Sequence, residues 1–104
     1  MIVVALVSDL MDRLRIAGSI PETTFASTPA ACADADVVVI DLGRFAAAVR
    51  DVRRRVPGAH LVAFGPHVDE AAFEQARADG ADAVLPRSRF FRDPRLAIAP
   101  EASE

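Results

Sequence analysis

Two aspartates stand where two buried segments end. Ile2-Val3-Val4-Ala5-Leu6-Val7 runs into Ser8-Asp9, and Val37-Val38-Val39-Ile40 runs into Asp41-Leu42. Carboxylates brought together from separate elements are hard oxygen ligands. With a backbone carbonyl near Gly43 and waters, Asp9 and Asp41 could hold Mg²⁺, weakly because two acids supply little charge. His67, in Gly65-Pro66-His67, adds a group whose charge changes near neutral pH and which could serve as an acid or base. Other arrangements are missing. A single glycine at Gly65 makes no dinucleotide-type phosphate loop, and Cys32, the one cysteine, should lie far from His67. Its Ala-rich surroundings mark Cys32 as small buried filler.

Positioning two such acids requires a particular scaffold. Short β-branched runs with no polar alternation read as strands buried on both faces, and ligands gather beyond the carboxyl ends of such strands. The strand pattern continues at Thr23 to Ser27, half polar and preceded by Pro21, which suits an edge. Ala59 to Phe64 and Ala81 to Leu85 complete a set of five.

Helical patterns fill the gaps. Ser8 or Asp9 can cap a helix with Leu10, Leu14 and Ala17 inward, stopped at Gly18. Thr28-Pro29 opens a brief helix. Phe45, Ala48, Val49, Val52 and Val56 mark one face of a longer helix ended by Pro57-Gly58. Its Arg50, Arg53, Arg54 and Arg55 form a solvated face favourable to the helix C-terminus. Asp69 can cap the next helix, with Ala72, Phe73 and Ala76 inward and Gly80 at its end. Strand–helix alternation of this length predicts a flavodoxin-like α/β sandwich with a five-stranded parallel sheet in the order 2-1-3-4-5. The switch point then falls between the first and third strands, where Asp9 and Asp41 would meet.

Composition narrows the function. The 104 residues suit one domain, about residues 1–98 with a flexible tail over 99–104; 52% hydrophobic content opposes disorder. A net charge of −3 with both signs dispersed gives no nucleic-acid footprint. No apolar run spans a bilayer, and the first segment lacks a basic flank, so a cytoplasmic location is expected. All 12 basic residues are arginine, a bias of the kind GC-rich coding produces, and one with a chemical consequence at the site.

The chain resembles the receiver domains of bacterial response regulators over about residues 1–91. The likeness is carried by Val7-Ser8-Asp9, by Val39-Ile40-Asp41-Leu42 and by Gly80-Ala81-Asp82 before the last strand. It implies that Asp41 stands at the phosphoacceptor position and Asp9 at the second acid of a Mg²⁺-binding pair. The same correspondence puts Ser8 at the first acid, Gly65 at the Thr or Ser ending the fourth strand, and Arg87, with Ser88 behind it, nearest the invariant lysine. The chain contains no lysine to recover that role. Arginine is longer, planar and forked, and is not an equivalent cation for a phosphoryl group.

Three functions are compatible with these residues. The first is a non-enzymatic pseudo-receiver, a signalling or protein-interaction module with no cofactor. The second is a phosphoacceptor using Asp41 with Mg²⁺. The third is a small-ligand-binding domain using Asp9, Asp41 and His67. Alternatively, Asp9 is simply a helix cap and Arg87 pairs with Asp41 or Asp9. The partner is expected to be a protein, with neither nucleic acid nor membrane involved. Only Ser88 to Asp93 is free of helix breakers near the end, so Phe90, Phe91, Leu96 and Ile98 need cover. A homodimer through this C-terminal region would supply it.

Overall fold

The computed structural model describes residues 1–66 and 69–100; His67 and the terminal residues 101–104 lie outside the described residues. Five strands form one parallel sheet: β1 (Val3–Leu6), β2 (Thr24–Ala26), β3 (Val37–Asp41), β4 (His60–Gly65) and β5 (Ala83–Pro86). Their order is β2-β1-β3-β4-β5, as the strand–helix alternation predicts. Every residue of β1 and β3 is buried, which is why those segments are continuously apolar. β2, three residues long and partly exposed, is an edge.

Among the described residues six helices cover the sheet: α1 (Leu10–Ser19), α2 (Leu42–Phe45), α3 (Val49–Arg55), α4 (Glu70–Ala78), α5 (Arg87–Arg92) and α6 (Pro94–Ala97). One core layer gathers Val4, Leu6, Val38, Ile40, Leu61 and Ala63 against Val49, Val52 and Phe73. The other packs Val3, Ala5, Val7, Val39, Val62 and Phe64 against Ile16, Ile20, Phe90 and Ile98. Alternate residues of each strand thus serve opposite layers.

Four sequence expectations are corrected. The inward face of α1 is Asp12, Ile16 and Ile20, whereas Leu10 and Leu14 are 69% and 59% exposed. A ten-residue helix seats one stripe, and the one buried here packs Ile16 and Ile20 into the core and brings Asp12 to Arg87. Gly18 does not stop α1, which runs through it to a cap at Ile20. The helix read over Phe45 to Val56 is broken, a 3₁₀ turn at Ala46–Ala48 separating α2 from α3, although Val49, Val52 and Val56 are buried as read. The Thr28-Pro29 helix is likewise a 3₁₀ turn, Pro29–Cys32, with Cys32 fully buried.

The C-terminal region also differs in what it leaves uncovered. The helix begun at Arg87 ends at Arg92, as Pro94 predicts, but a second short helix starts at Pro94, capped by Asp93, whose carboxylate accepts from Leu96 N at 3.2 Å. Phe90 and Ile98 are buried within the chain and Phe91 is half-buried, so only Leu96 of the four residues is exposed. Three of the four side chains that motivated a C-terminal dimer are therefore covered by this chain itself. No helix among the described residues is long and apolar enough to cross a membrane.

Candidate functional site

Asp9 and Asp41 reach the same end of the sheet because β1 and β3 are neighbours in register, Leu6 opposite Ile40. Each carboxylate caps a helix. Asp9 Oδ1 accepts from Asp12 N at 3.0 Å, and Asp41 Oδ1 accepts from Gly43 N at 2.9 Å. Gly43 permits the second approach, since a Cβ there would lie 3.2 Å from Asp41 Oδ1. Asp9 and Ser8 are exposed; Asp41 is buried.

A third acid completes the group, and the sequence reading missed it. Asp12 is 4% exposed, one turn into α1 on the face of Ile16 and Ile20. Its Oδ1 accepts a hydrogen bond from Arg87 Nη2 at 2.7 Å. The signal was present: a 12-16-20 spacing puts an acid on a buried stripe, and a buried carboxylate needs a cation. The expected direct pair of Arg87 with Asp41 or Asp9 is therefore corrected, since the guanidinium bonds Asp12. Both other acids still face it electrostatically, and the bond to Asp12, followed by those neighbouring charges, raises the guanidinium pKa against some desolvation.

An aromatic floor holds this cation. Arg87 Cζ lies 5.4 Å from the Phe64 ring centre and 5.1 Å from that of Phe91. Phe64 stacks on Phe90 at 4.8 Å, and Phe91 meets both edge-on. A planar guanidinium suits ring faces and a carboxylate edge together, which an ammonium does not.

Burial dominates Asp41 and raises its pKa from the ordinary aspartate value; the Gly43 amide and Arg87 oppose that rise, while Asp12 and Asp9 reinforce it. A raised folded-state pKa contributes stability that is present at low pH and lost as pH rises through it. Asp41→Asn keeps an oxygen for the Gly43 amide and removes the charge. It is expected to raise the thermal midpoint at neutral pH, with the gain vanishing below the ordinary carboxylate range. A midpoint lowered at neutral pH would contradict this.

Where a hydroxyl would end β4, Gly65 is walled in. A Cβ there would meet Leu42 Cβ and Phe73 Cε1, each at 3.3 Å. Gly65→Thr is therefore expected to cost about 1–3 kcal/mol in urea unfolding, an overpacking penalty, rather than to install a free hydroxyl. An unchanged midpoint would show that the wall yields. His67, the other predicted neighbour, lies outside the described residues.

Each acid already accepts a hydrogen bond, and the positive charge facing all three is a guanidinium. Among the described residues no three His, Cys, Asp or Glu side chains converge so as to hold a metal ion. The arrangement is chemically an acidic crevice in which one guanidinium faces three carboxylates and bonds one of them.

No family model and no curated protein matches this chain. Solved structures do. A response regulator from Burkholderia pseudomallei, described with a phosphorylated aspartic acid, a calcium ion and citrate, superposes with a TM-score of 0.79 at 16% identity, covering 98% of this chain and 68% of that one. The isolated REC domain of RcsB from Salmonella enterica serovar Typhimurium gives 0.74 at 14% identity, covering 100% and 90%. NtrX from Brucella abortus, in complex with ADP, gives 0.72 at 20% identity, with 98% of this chain matching 27% of that protein. The fold is thus that of response-regulator receiver domains.

Proposed function

We propose that this receiver-fold domain is a pseudo-receiver: a phosphorylation-independent protein-interaction module, with Asp41 acting as a buried helix cap instead of a phosphoacceptor. The observation that carries the reading is the Arg87–Asp12 pair seated on Phe64 and Phe91. Phosphoryl transfer is driven by cations that meet the charge spread over the transferring oxygens. Here the facing cation is committed to an internal acid and to two rings. Gly65 supplies no hydroxyl, and its surroundings leave little room for one.

The reading implies neither enzymatic activity nor a cofactor, and a cytoplasmic setting, in which Cys32 stays a reduced, buried thiol whose pKa is raised by desolvation. The partner is a protein, whether a second copy or another chain. For either, the side chains on offer are Leu10, Met11 and Leu14, which are 69%, 63% and 59% exposed along one side of α1. Three adjacent large apolar groups at that exposure are the kind of surface that associates.

Amide chemical shifts recorded with Mg²⁺ and beryllofluoride test the proposal. Shifts at Asp41, Gly65 and Arg87 are expected to be unchanged. A saturable response at those residues would instead support a working phosphoacceptor.

A further inference from the structure

The break between α5 and α6 leaves a notch beside β5. A single continued helix would have covered Leu85; instead the chain turns at Asp93-Pro94, and a cavity of about 240 Å³ opens between Leu85, Arg89, Arg92, Asp93, Leu96 and Ala97. Its floor and one wall are apolar. Leu96 is 62% exposed, whereas Phe90, Ala97 and Ile98 are buried and Phe91 is half-buried.

Two cations stand at its rim. Arg89 and Arg92 are three residues apart on α5, hence on one face, and both are exposed. Of the arginines nearby, Arg87 pairs with Asp12, Arg95 with Glu22, and Arg15 lies over Phe91. Arg89 and Arg92 have no ion pair or hydrogen bond with any described residue. Unpaired guanidinium groups over an apolar floor match a molecule with an acid at one end and a hydrocarbon body.

We infer that this notch is a binding site for a small amphiphilic monocarboxylate, its acid group on Arg89 and Arg92 and its apolar body against Leu85, Leu96 and Ala97. The size of the cavity selects a short acyl chain or one ring, being below the ~300 Å³ where drug-sized sites begin. Asp93 selects the charge. Its carboxylate is in the lining, held by its cap bond to Leu96 N, and it repels a phosphate dianion or a dicarboxylate. The site is separate from the acidic crevice and does not depend on how Asp41 behaves.

Titration of the isotope-labelled protein with octanoate, octanol and octanedioate tests the assignment. Octanoate is expected to shift amides between Leu85 and Ala97 saturably, with affinity about tenfold or more above that of either other probe. The Arg89→Ala/Arg92→Ala double variant, which removes no ion pair or hydrogen bond with a described residue, is expected to keep its thermal midpoint and lose that tenfold advantage. Leu96→Glu, at an exposed position, is expected to abolish octanoate binding. Octanol binding as tightly as octanoate, shifts centred elsewhere, or unaltered binding by the double variant would each overturn the inference.

Discussion

Arg87→Ala is expected to lower the stability of the domain by about 3 kcal/mol, read from urea unfolding at neutral pH. The cause is what stays behind. Asp12 remains 4% exposed with its carboxylate unpaired, and Asp41 and Asp9 lose the charge that opposes their repulsion. Stranding one member of a buried pair costs roughly 3–5 kcal/mol, and the low end applies because the Arg87 side chain is itself 39% exposed. In an Asp12→Leu background the same change should cost far less. A full loss in that background would place the effect in ring packing on Phe64 and Phe91 and not in the ion pair.

Gly80→Ala is expected to cost about 3 kcal/mol or more, at the opposite end of the sheet. Gly80 has φ of +117°, the only positive value among the described residues, and a Cβ there would sit 2.6 Å from Arg53 Cγ and 2.9 Å from Arg53 Cβ. Backbone strain of ~1–3 kcal/mol adds to that overlap. Arg53 cannot easily withdraw. Its guanidinium donates to the carbonyls of Gly80, Pro57 and Ala59 at 2.9, 2.9 and 3.0 Å, and to Asp82 Oδ2 at 2.6 Å. Asp82 Oδ2 in turn accepts from Leu61 N at 2.9 Å, joining the starts of β4 and β5. In an Arg53→Ala background the added cost of Gly80→Ala should fall to the backbone strain alone. Undiminished cost there would mean that the overlap with Arg53 contributes nothing.

Much of this was legible in the sequence for identifiable reasons. Fully buried strands leave unbroken β-branched runs, so β1 and β3 were visible, and with them the convergence of Asp9 and Asp41. Caps at Asp9 and Asp69 were visible because a carboxylate preceding a helix has one efficient use. The reading failed where two local solutions competed. α1 offered two stripes of similar apolarity, and the one chosen by the fold contains an acid whose partner lies 75 residues away in the chain. Nothing within α1 announces Arg87. A solvated face for the arginines of α3 holds for exposed Arg54 but not for Arg53, bonded to four carbonyls. A guanidinium used as a backbone clamp has the same letter as one in solvent. Fold recognition was legible for a further reason: the strand–helix order carries the fold, which is shared with solved receiver-fold proteins at 14–20% identity.

The central claim is that Asp41 does not accept phosphate. Intact-mass spectrometry after incubation with acetyl phosphate and Mg²⁺, run beside the Asp41→Asn variant, addresses it most directly. The account predicts identical unmodified masses for the two proteins throughout the incubation. A phosphoryl adduct that accumulates on the native chain and is absent from Asp41→Asn would contradict it.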